Sequence, residues 1–246
     1  MNVFICLDDT DNLKSAGTGK LAAQLAAQME DRGWGKCSFI SRHQLLVHPA
    51  IPYTSHNSAM CFTAELKEGV VDEVVGFAAS FLERESAPGS DPGLCLAVAE
   101  KLAKPQDLLA FGQAAKRRVL DKEAAFALAR ELGVHLSEHG GSGQGVVGAL
   151  AGVGLRLGGN DGRIKGRLEI AAPGAVVSAE LLFSHPEVEE VRALTGEPVQ
   201  KGDLVRIGEK IKMVLRDGKA VLLLIPSADP REARWHTIPR SALNDY

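Results

Sequence analysis

Five consecutive apolar residues, Val3-Phe4-Ile5-Cys6-Leu7, run straight into Asp8-Asp9-Thr10-Asp11-Asn12. A run without polar alternation fits a strand covered on both faces, because a strand with one wet face alternates apolar with polar residues. Open α/β sheets place their chemistry at the C-terminal ends of such strands. Carboxylates crowded at that point repel one another, and a bound divalent cation is the usual relief. Carboxylate oxygens and a threonine hydroxyl are hard ligands that suit Mg²⁺, which tends to bridge one or two carboxylates to substrate phosphates. Asp8, Asp9 and Asp11 are therefore candidate metal ligands and catalytic acids.

Ser15-Ala16-Gly17-Thr18-Gly19-Lys20 follows, then an Ala-rich segment, Leu21 to Met29, with apolar residues at helical spacing. Backbone N–H groups at the start of that helix, at Gly17, Thr18 and Gly19 with Lys20 beside them, form a candidate phosphate seat. A Walker motif is rejected: its first glycine is missing, and Leu21 stands where it needs Ser or Thr. Asp and Asn are common in turns, and Thr18 could simply cap the helix. Acids closing a buried strand just before a Gly-Thr-Gly-Lys helix start favour a metal–phosphate site over that plainer reading.

The chain has 246 residues, of which 45% are hydrophobic, enough for one large domain or two small ones. A formal net charge of −3 gives no global attraction to nucleic acid or membrane, so RNA binding would need a local basic patch. Cys6, Cys37, Cys61 and Cys95 form no C-x-x-C pair, which excludes a zinc ribbon and reads as reduced core thiols. With acids interrupting the N-terminus and no long apolar stretch, the expectation is a cytoplasmic protein without a membrane partner.

Asp31 to Gly35 ends the first helix with glycine. Cys37 to Leu46 reads as a strand carrying Arg42 and His43. His48 to Ala59 is a polar loop, containing Tyr53, His56 and Asn57, that is either a surface turn or a substrate loop; a strand from Met60 to Leu66 follows. Val70 to Glu85 reads as a helix, Ser86 to Gly93 as linker-like punctuation, and Leu94 to Val98 as a short strand. Helices are expected from Pro105 to Ala115 and from Glu123 to Leu132, the second capped by Asp121. Lys116-Arg117-Arg118 between them reads as a solvated helix end, with phosphate contact as the lesser reading.

Twelve of the 26 glycines fall between Gly133 and Gly166, and the densest part leads from His139 through Gly143-Gln144-Gly145 into a small-residue segment ending at Gly152. A glycine loop entering a helix lets backbone N–H groups approach an anion closely, although tight helix–sheet packing explains the later glycines equally well. Two such helix starts in one chain suggest a nucleotide site between them. Strand-like segments then appear at 164–170, 176–183, 188–193, 204–207, 211–216 and 220–225, with Asp217-Gly218 as a hairpin signal and Pro198 to Asp203 as a turn. Residues 172–246 read as a small antiparallel β module, in which Arg231, Arg234, Trp235, His236 and Arg240 either stack a base or form a tail packed on the module.

These residues resemble the N-terminal half of the archaeal tRNA agmatidine synthetase (2-agmatinylcytidine synthetase) family. The resemblance rests on Asp8-Asp9-Thr10-Asp11 with Gly17-Thr18, on the loop Ile51-Pro52-Tyr53 to Ala59, on Asp91-Pro92-Gly93-Leu94, and on Gly143 to Ala151. Order and spacing agree over about residues 2–157. It implies an ATP-dependent, kinase-like α/β domain with a ferredoxin-like portion, over residues 1–171, that phosphorylates the C2 carbonyl of a tRNA cytidine so that agmatine can displace the phosphate. It further implies Asp8, Asp9 and Asp11 as Mg²⁺ ligands or catalytic acids, Thr18 as a phosphoacceptor, and the Gly143 to Gly148 loop near phosphate. The OB-fold and zinc ribbon with which that family grips tRNA have no counterpart here, nor does the β module align.

The resulting expectation is a Mg²⁺-dependent, ATP-using phosphotransferase or ligase. ATP would rest on Gly17, Thr18, Gly19, Lys20, Gly143, Gln144 and Gly145. Arg42, His43, Tyr53, His56 and Asn57 would contact the acceptor, either tRNA or a smaller molecule. A non-catalytic nucleotide- or RNA-binding module and a metal-dependent phosphoester hydrolase stand as alternatives.

Overall fold

The computed structural model describes residues 1–51 and 56–243, so Tyr53 lies outside the described residues. The chain divides into two compact units, Met1–Gly158 and Gly159–Tyr246. The segment 159–171, grouped with the first region from sequence, belongs to the second unit.

In the first unit, β1 (Asn2–Asp8) lies at the centre of a sheet with β3 (Ser41–Gln44), β4 (Ser58–Leu66), β5 (Gly93–Val98) and β6 (His135–Glu138), in the order β6-β5-β1-β4-β3, while β2 (Gly35–Cys37) also pairs with β4. β1 is antiparallel to both neighbours, with Cys6 opposite Cys61 on one side and Cys95 on the other. Its apolar run arises from cover on both faces rather than from parallel pairing. Val3, Ile5 and Leu7 join the core under α1 (Thr18–Asp31) and α2 (Val71–Glu85). Cys6, Cys61 and Cys95 face the other layer, α3 (Pro105–Ala115), α4 (Lys122–Leu132) and α5 (Gly145–Gly158). All three thiols are buried and free.

α5 is rich in Gly and Ala because it lies directly on the sheet and on α3. A Cβ at Gly152 would overlap Cys6 Sγ and come within 2.9 Å of Ala59 Cβ, and one at Gly154 would overlap the Leu108 carbonyl. From the other side, a Cβ at Gly112 would lie 2.8 Å from the Ala151 carbonyl oxygen. Helix boundaries follow local chemistry: Asp121 accepts a bond from Ala124 N–H at the start of α4, and Gly133 closes it in the left-handed conformation.

Two local expectations for this unit are corrected, and one strand was not anticipated. Cys37 to Leu46 is not one strand: β2 and β3 are separate, and the chain between them bonds sideways, Ser38 N–H to Thr63 O. The punctuation at Ser86–Gly93 is not a link between units but a turn inside the first unit, anchored by Ala87 N–H on Thr10 O. Strand β6 had no clear signature, since His135-Leu136-Ser137-Glu138 carries no strong strand former.

The second unit contains β7 (Arg163–Ile164), β8 (Val176–Ser178), α6 (Ala179–Phe183), β9 (Glu190–Ala193), β10 (Leu204–Arg206), β11 (Val214–Arg216), β12 (Lys219–Pro226) and β13 (Trp235–Thr237). The order is β7-β11-β12-β13-β10-β8, with β9 on β12. The expected antiparallel module is mostly antiparallel, with two parallel pairs, β9 with β12 and β10 with β13. Residues 179–183 form a helix rather than the continuation of β8. Of the expected strand 164–170 only Ile164 belongs to a strand, as the last residue of β7, and Leu168 makes an isolated bridge to Ile211. The Asp217-Gly218 hairpin is present, both residues having positive φ as a type I′ turn requires. Trp235 is buried, its indole N–H bonded to Asp203 Oδ2 at 2.9 Å, so it is core and not an exposed stacking platform. Among the described residues no helix is long and apolar enough to cross a membrane.

The contact between α5 and β1 yields a double-mutant prediction. Gly152→Ala should destabilise the protein by roughly 1–3 kcal/mol through overpacking against Cys6. Combining it with Cys6→Ala should recover part of that loss, because the new methyl then occupies the space left by the sulfur. Urea denaturation of the four proteins in the cycle measures the coupling.

Candidate active site around the acid-tipped strand

β1 delivers Asp8 to the sheet end opposite Gly93, and the chain then leaves the sheet through Asp9, a non-glycine residue with φ 50°. Asp is among the few side chains that enter this region readily. The abrupt turn sends successive carboxylates to different neighbours. Asp8 is buried, and its Oδ2 abuts α5 where a Cβ at Gly148 would overlap it. Asp11 Oδ2 lies beside Gly17, 3.6 Å from where a Cβ would stand. Asp9 lies in the field of Asp91.

Burial pushes the Asp8 carboxyl up to about 8, with repulsion from Asp9 and, to a smaller degree, Asp11 adding to it, while a bond from the Asp9 backbone pulls it back. Burial also raises Asp9, to about 6, followed by the negative charges of Asp91 and Asp11. Among the described residues no group of three or more His, Cys, Asp or Glu side chains is arranged to hold a metal ion. The knot of acids anticipated from sequence is therefore not a preformed three-carboxylate cage.

Thr18 opens α1 behind the N-cap Gly17, whose φ of 83° is the left-handed region open to glycine; the helix has no side-chain cap. The Thr18 hydroxyl is not a cap. It is buried, accepts a long bond from Thr10 N–H (3.4 Å) and meets the Thr10 hydroxyl at 3.1 Å. Asn12 fits the plainer turn reading, with its side chain accepting from Lys14 N–H.

One cavity of about 530 Å³ lies over this end of the first unit. Asp8, Asp9, Asp11, Gly17, Thr18, Gly19, Arg42, His56, Asn57, Gln144 and Gly145, all singled out from sequence, line it together. Three others do not. Lys20 is exposed outside the lining. His43 is fully buried on the other face of β3, where its Nε2 meets Ser41 Oγ at 2.7 Å. Since the Ser41 hydroxyl donates to Cys61 O, the imidazole donates to Ser41, a core role rather than an acceptor contact. Gly143 also stays outside, its N–H bonded to Gly140 O, while the Gly145 N–H is taken by Asp91 O. Those two N–H groups, expected to meet phosphate, already have protein partners.

Sequence reasoning missed other parts of the wall. Arg118, beyond the end of α3, lines the cavity and so leaves the lesser reading of the Lys-Arg-Arg run open. Ser58 in the lining was also missed, as was Gln44, which lies outside it: the Arg42 Nε donates to Ser58 Oγ at 3.0 Å and its Nη2 to Gln44 Oε1 at 3.2 Å, which holds the guanidinium at the lining. Alternation on β3 was the available signal, since Arg42 and Gln44 share the face opposite His43.

A pH dependence follows from Asp8. Between the ordinary value of 3.8 and about 8, the folded protein keeps a proton that the unfolded chain has released. Stability contributed by this group therefore falls as pH rises across that window. Asp8→Asn, nearly isosteric and unable to ionise, should be more stable than the parent, with the gap widening from pH 4 to pH 8 to on the order of a few kcal/mol. Denaturation in chelator-containing buffer across that range measures it.

No protein-family model matches the chain, and no curated protein sequence does. Solved structures do. Apo TiaS, a tRNA agmatidine synthetase, is 27% identical with a TM-score of 0.54, covering 63% of this chain and 35% of that one. The complex of TiaS with its tRNA and ATP is 28% identical with a TM-score of 0.55, covering 63% and 36%. A tRNA fluorescent labeling enzyme is 28% identical with a TM-score of 0.53, covering 63% and 36%. This chain spans about a third of the length of the solved structures it matches. Within the shared portion it carries a TiaS-like fold.

Proposed function

We propose that the first unit is an ATP-dependent phosphotransferase or ligase acting in a tRNA-related reaction, with ATP held in the cavity over β1. The observation that carries this reading is the convergence, on one cavity, of the acid-tipped strand, the uncapped start of α1 and two arginines, Arg42 and Arg118. The likeness to TiaS supports the choice of ATP and of tRNA, since that enzyme was crystallised with tRNA and ATP and with tRNA, AMPCPP and agmatine. A tRNA cytidine is the acceptor under this reading, and a smaller carbonyl or hydroxyl compound is the variant.

Phosphoryl transfer asks the protein mainly to position groups and neutralise charge. Gly17, Thr18 and Gly19 would take phosphate oxygens at the start of α1. Arg42 and Arg118 would oppose phosphate charge, the part assigned from sequence to Lys20. His56 and Asn57 would face the acceptor with Arg42. The donor set suits Mg²⁺, since Asp8 and Asp11 are hard oxygen donors in a cavity, and one or two carboxylates suffice when phosphates complete the shell. Bound there, Mg²⁺ would neutralise charge on the transferring group. Asp9 would serve as a further carboxylate ligand or as the base that takes the acceptor proton. Thr18 would accept a phosphoryl group once its hydroxyl leaves Thr10.

ATP with Mg²⁺ should raise the melting temperature, by the equivalent of about 2.7 kcal/mol at a hundredfold excess over Kd, and should be consumed. Asp8→Asn should lower turnover by about a hundredfold or more while remaining folded. Stabilisation without consumption would instead indicate a nucleotide-sensing module, and cleavage of simple phosphoesters without ATP a hydrolase.

Phosphorylation of the protein itself is a separate test. After incubation with ATP, peptide mass spectrometry should find phosphate on Thr18, and Thr18→Ala should abolish it. Phosphate on any other residue removes Thr18 from that role.

A further inference from the structure

We propose that Asp91 is a positioning residue that fixes the wall of the nucleotide cavity formed by Gln144 and Gly145. The proposal rests on the ATP reading above, and Asp91 itself is not among the residues lining the cavity.

The segment Gly140-Gly141-Ser142-Gly143-Gln144 has little stiffness of its own, because its three glycines leave the backbone many conformations to lose. Its placement depends on bonds from outside, and Asp91 makes most of them. One carboxylate oxygen accepts the Ser142 N–H and the other accepts the Ser142 hydroxyl at 2.9 Å. The backbone carbonyl of Asp91 accepts the Gly145 N–H at 3.1 Å. A single residue thus grips both ends of the turn that delivers Gln144 and Gly145 to the cavity. Bonds to an ionised carboxylate are the stronger kind, and two on one side chain also fix direction.

The fit leaves no slack. A Cβ at Gly141 would overlap Asp91 Oδ1, and one at Gly145 would overlap the Asp91 carbonyl. Lys122 holds the outer side, with Nζ donating to Ser142 O at 2.8 Å and to Glu138 at 3.1 Å. Asp91 is itself fixed: Pro92 follows it and accepts the His139 N–H at 2.8 Å, and Gly93 pairs with Asp8 in the sheet. This path, Asp8 to Gly93 to Asp91 to Ser142, ties the acid end of β1 to the glycine turn.

The test compares Asp91→Ala, Asp91→Asn and Ser142→Ala in the full chain, by ATP turnover and by direct ATP binding in the presence of Mg²⁺. Asp91→Ala should raise KM and Kd for ATP about tenfold, the cost of losing bonds to a charged group, with kcat within about twofold of the parent. Asp91→Asn, which can still accept the Ser142 N–H, should recover most of the affinity. Adding Ser142→Ala to Asp91→Ala should cost nothing further, because the two act as one contact. Parental affinity in Asp91→Ala, or equal losses in Asp91→Ala and Asp91→Asn, overturns the proposal. Should Asp91→Ala fail to fold, Ser142→Ala decides: a several-fold loss of ATP affinity that Asp91→Asn does not deepen supports the clamp, and unchanged affinity refutes it. If the parent protein itself neither binds nor consumes ATP, the ATP reading fails instead. The clamp is then judged by amide exchange, which should quicken across 140–145 in Asp91→Ala but not in Asp91→Asn; unchanged exchange refutes it.

Discussion

Burial of the Asp8 carboxyl beneath α5 is the constraint around which the first unit is arranged. A carboxylate taken out of water must find compensation or keep its proton, and this one is pushed up to about 8. Glycine at 148 leaves room for it, the left-handed turn at Asp9 carries the next acid away from it, and Gly93 pairs with it across the sheet. A cation or a ligand phosphate with its metal would draw that proton off. Left to itself, the buried group weakens the fold as pH rises toward neutrality.

Much of this was legible in the sequence, for definite reasons. A strand buried on both faces is written as an apolar run, and β1 is covered by α1 and α2 on one side and by α3, α4 and α5 on the other. Helices α2, α3 and α4 carry their own periodicity, with Pro105 opening α3 and Asp121 capping α4, so their limits were readable to within a residue or so. The glycines of α5 were equally readable as close approach. By contrast, β6 and β13 borrow their conformation from neighbouring strands, which local composition does not encode. Whether 179–183 continued a strand or turned into a helix depended on tertiary surroundings, a decision that propensity leaves open.

The candidate site was half legible in the same sense. Residue types suited to phosphate and metal chemistry, such as Asp11, Thr18 and Asn57, were visible, and most proved to share one cavity. Direction was not visible. His43 and Arg42 are adjacent in sequence, yet the pleat turns one into the core and the other toward the cavity. Lys20 beside the phosphate-like turn was the natural counter-charge on composition alone, but the helix carries it outward while Arg118 arrives from a distant segment. The parallel pairs in the second unit could not be foreseen either, since β9 reaches β12 across a long stretch of chain (Val191 opposite Leu222).

The row of thiols across β4, β1 and β5 has a practical consequence. Cys6, Cys61 and Cys95 are sealed between the sheet and α5, whereas Cys37 is only half-buried. Burial holds Cys6 and Cys95 in the unreactive protonated form. Burial, then the charge of Glu30, pushes the Cys37 thiol up as well, to about 12, so an alkylating reagent would mark Cys37 only slowly in the intact molecule and reach the other three only when the central layer comes apart. The molecule carries its own chronometer for global opening, readable by counting labels with time.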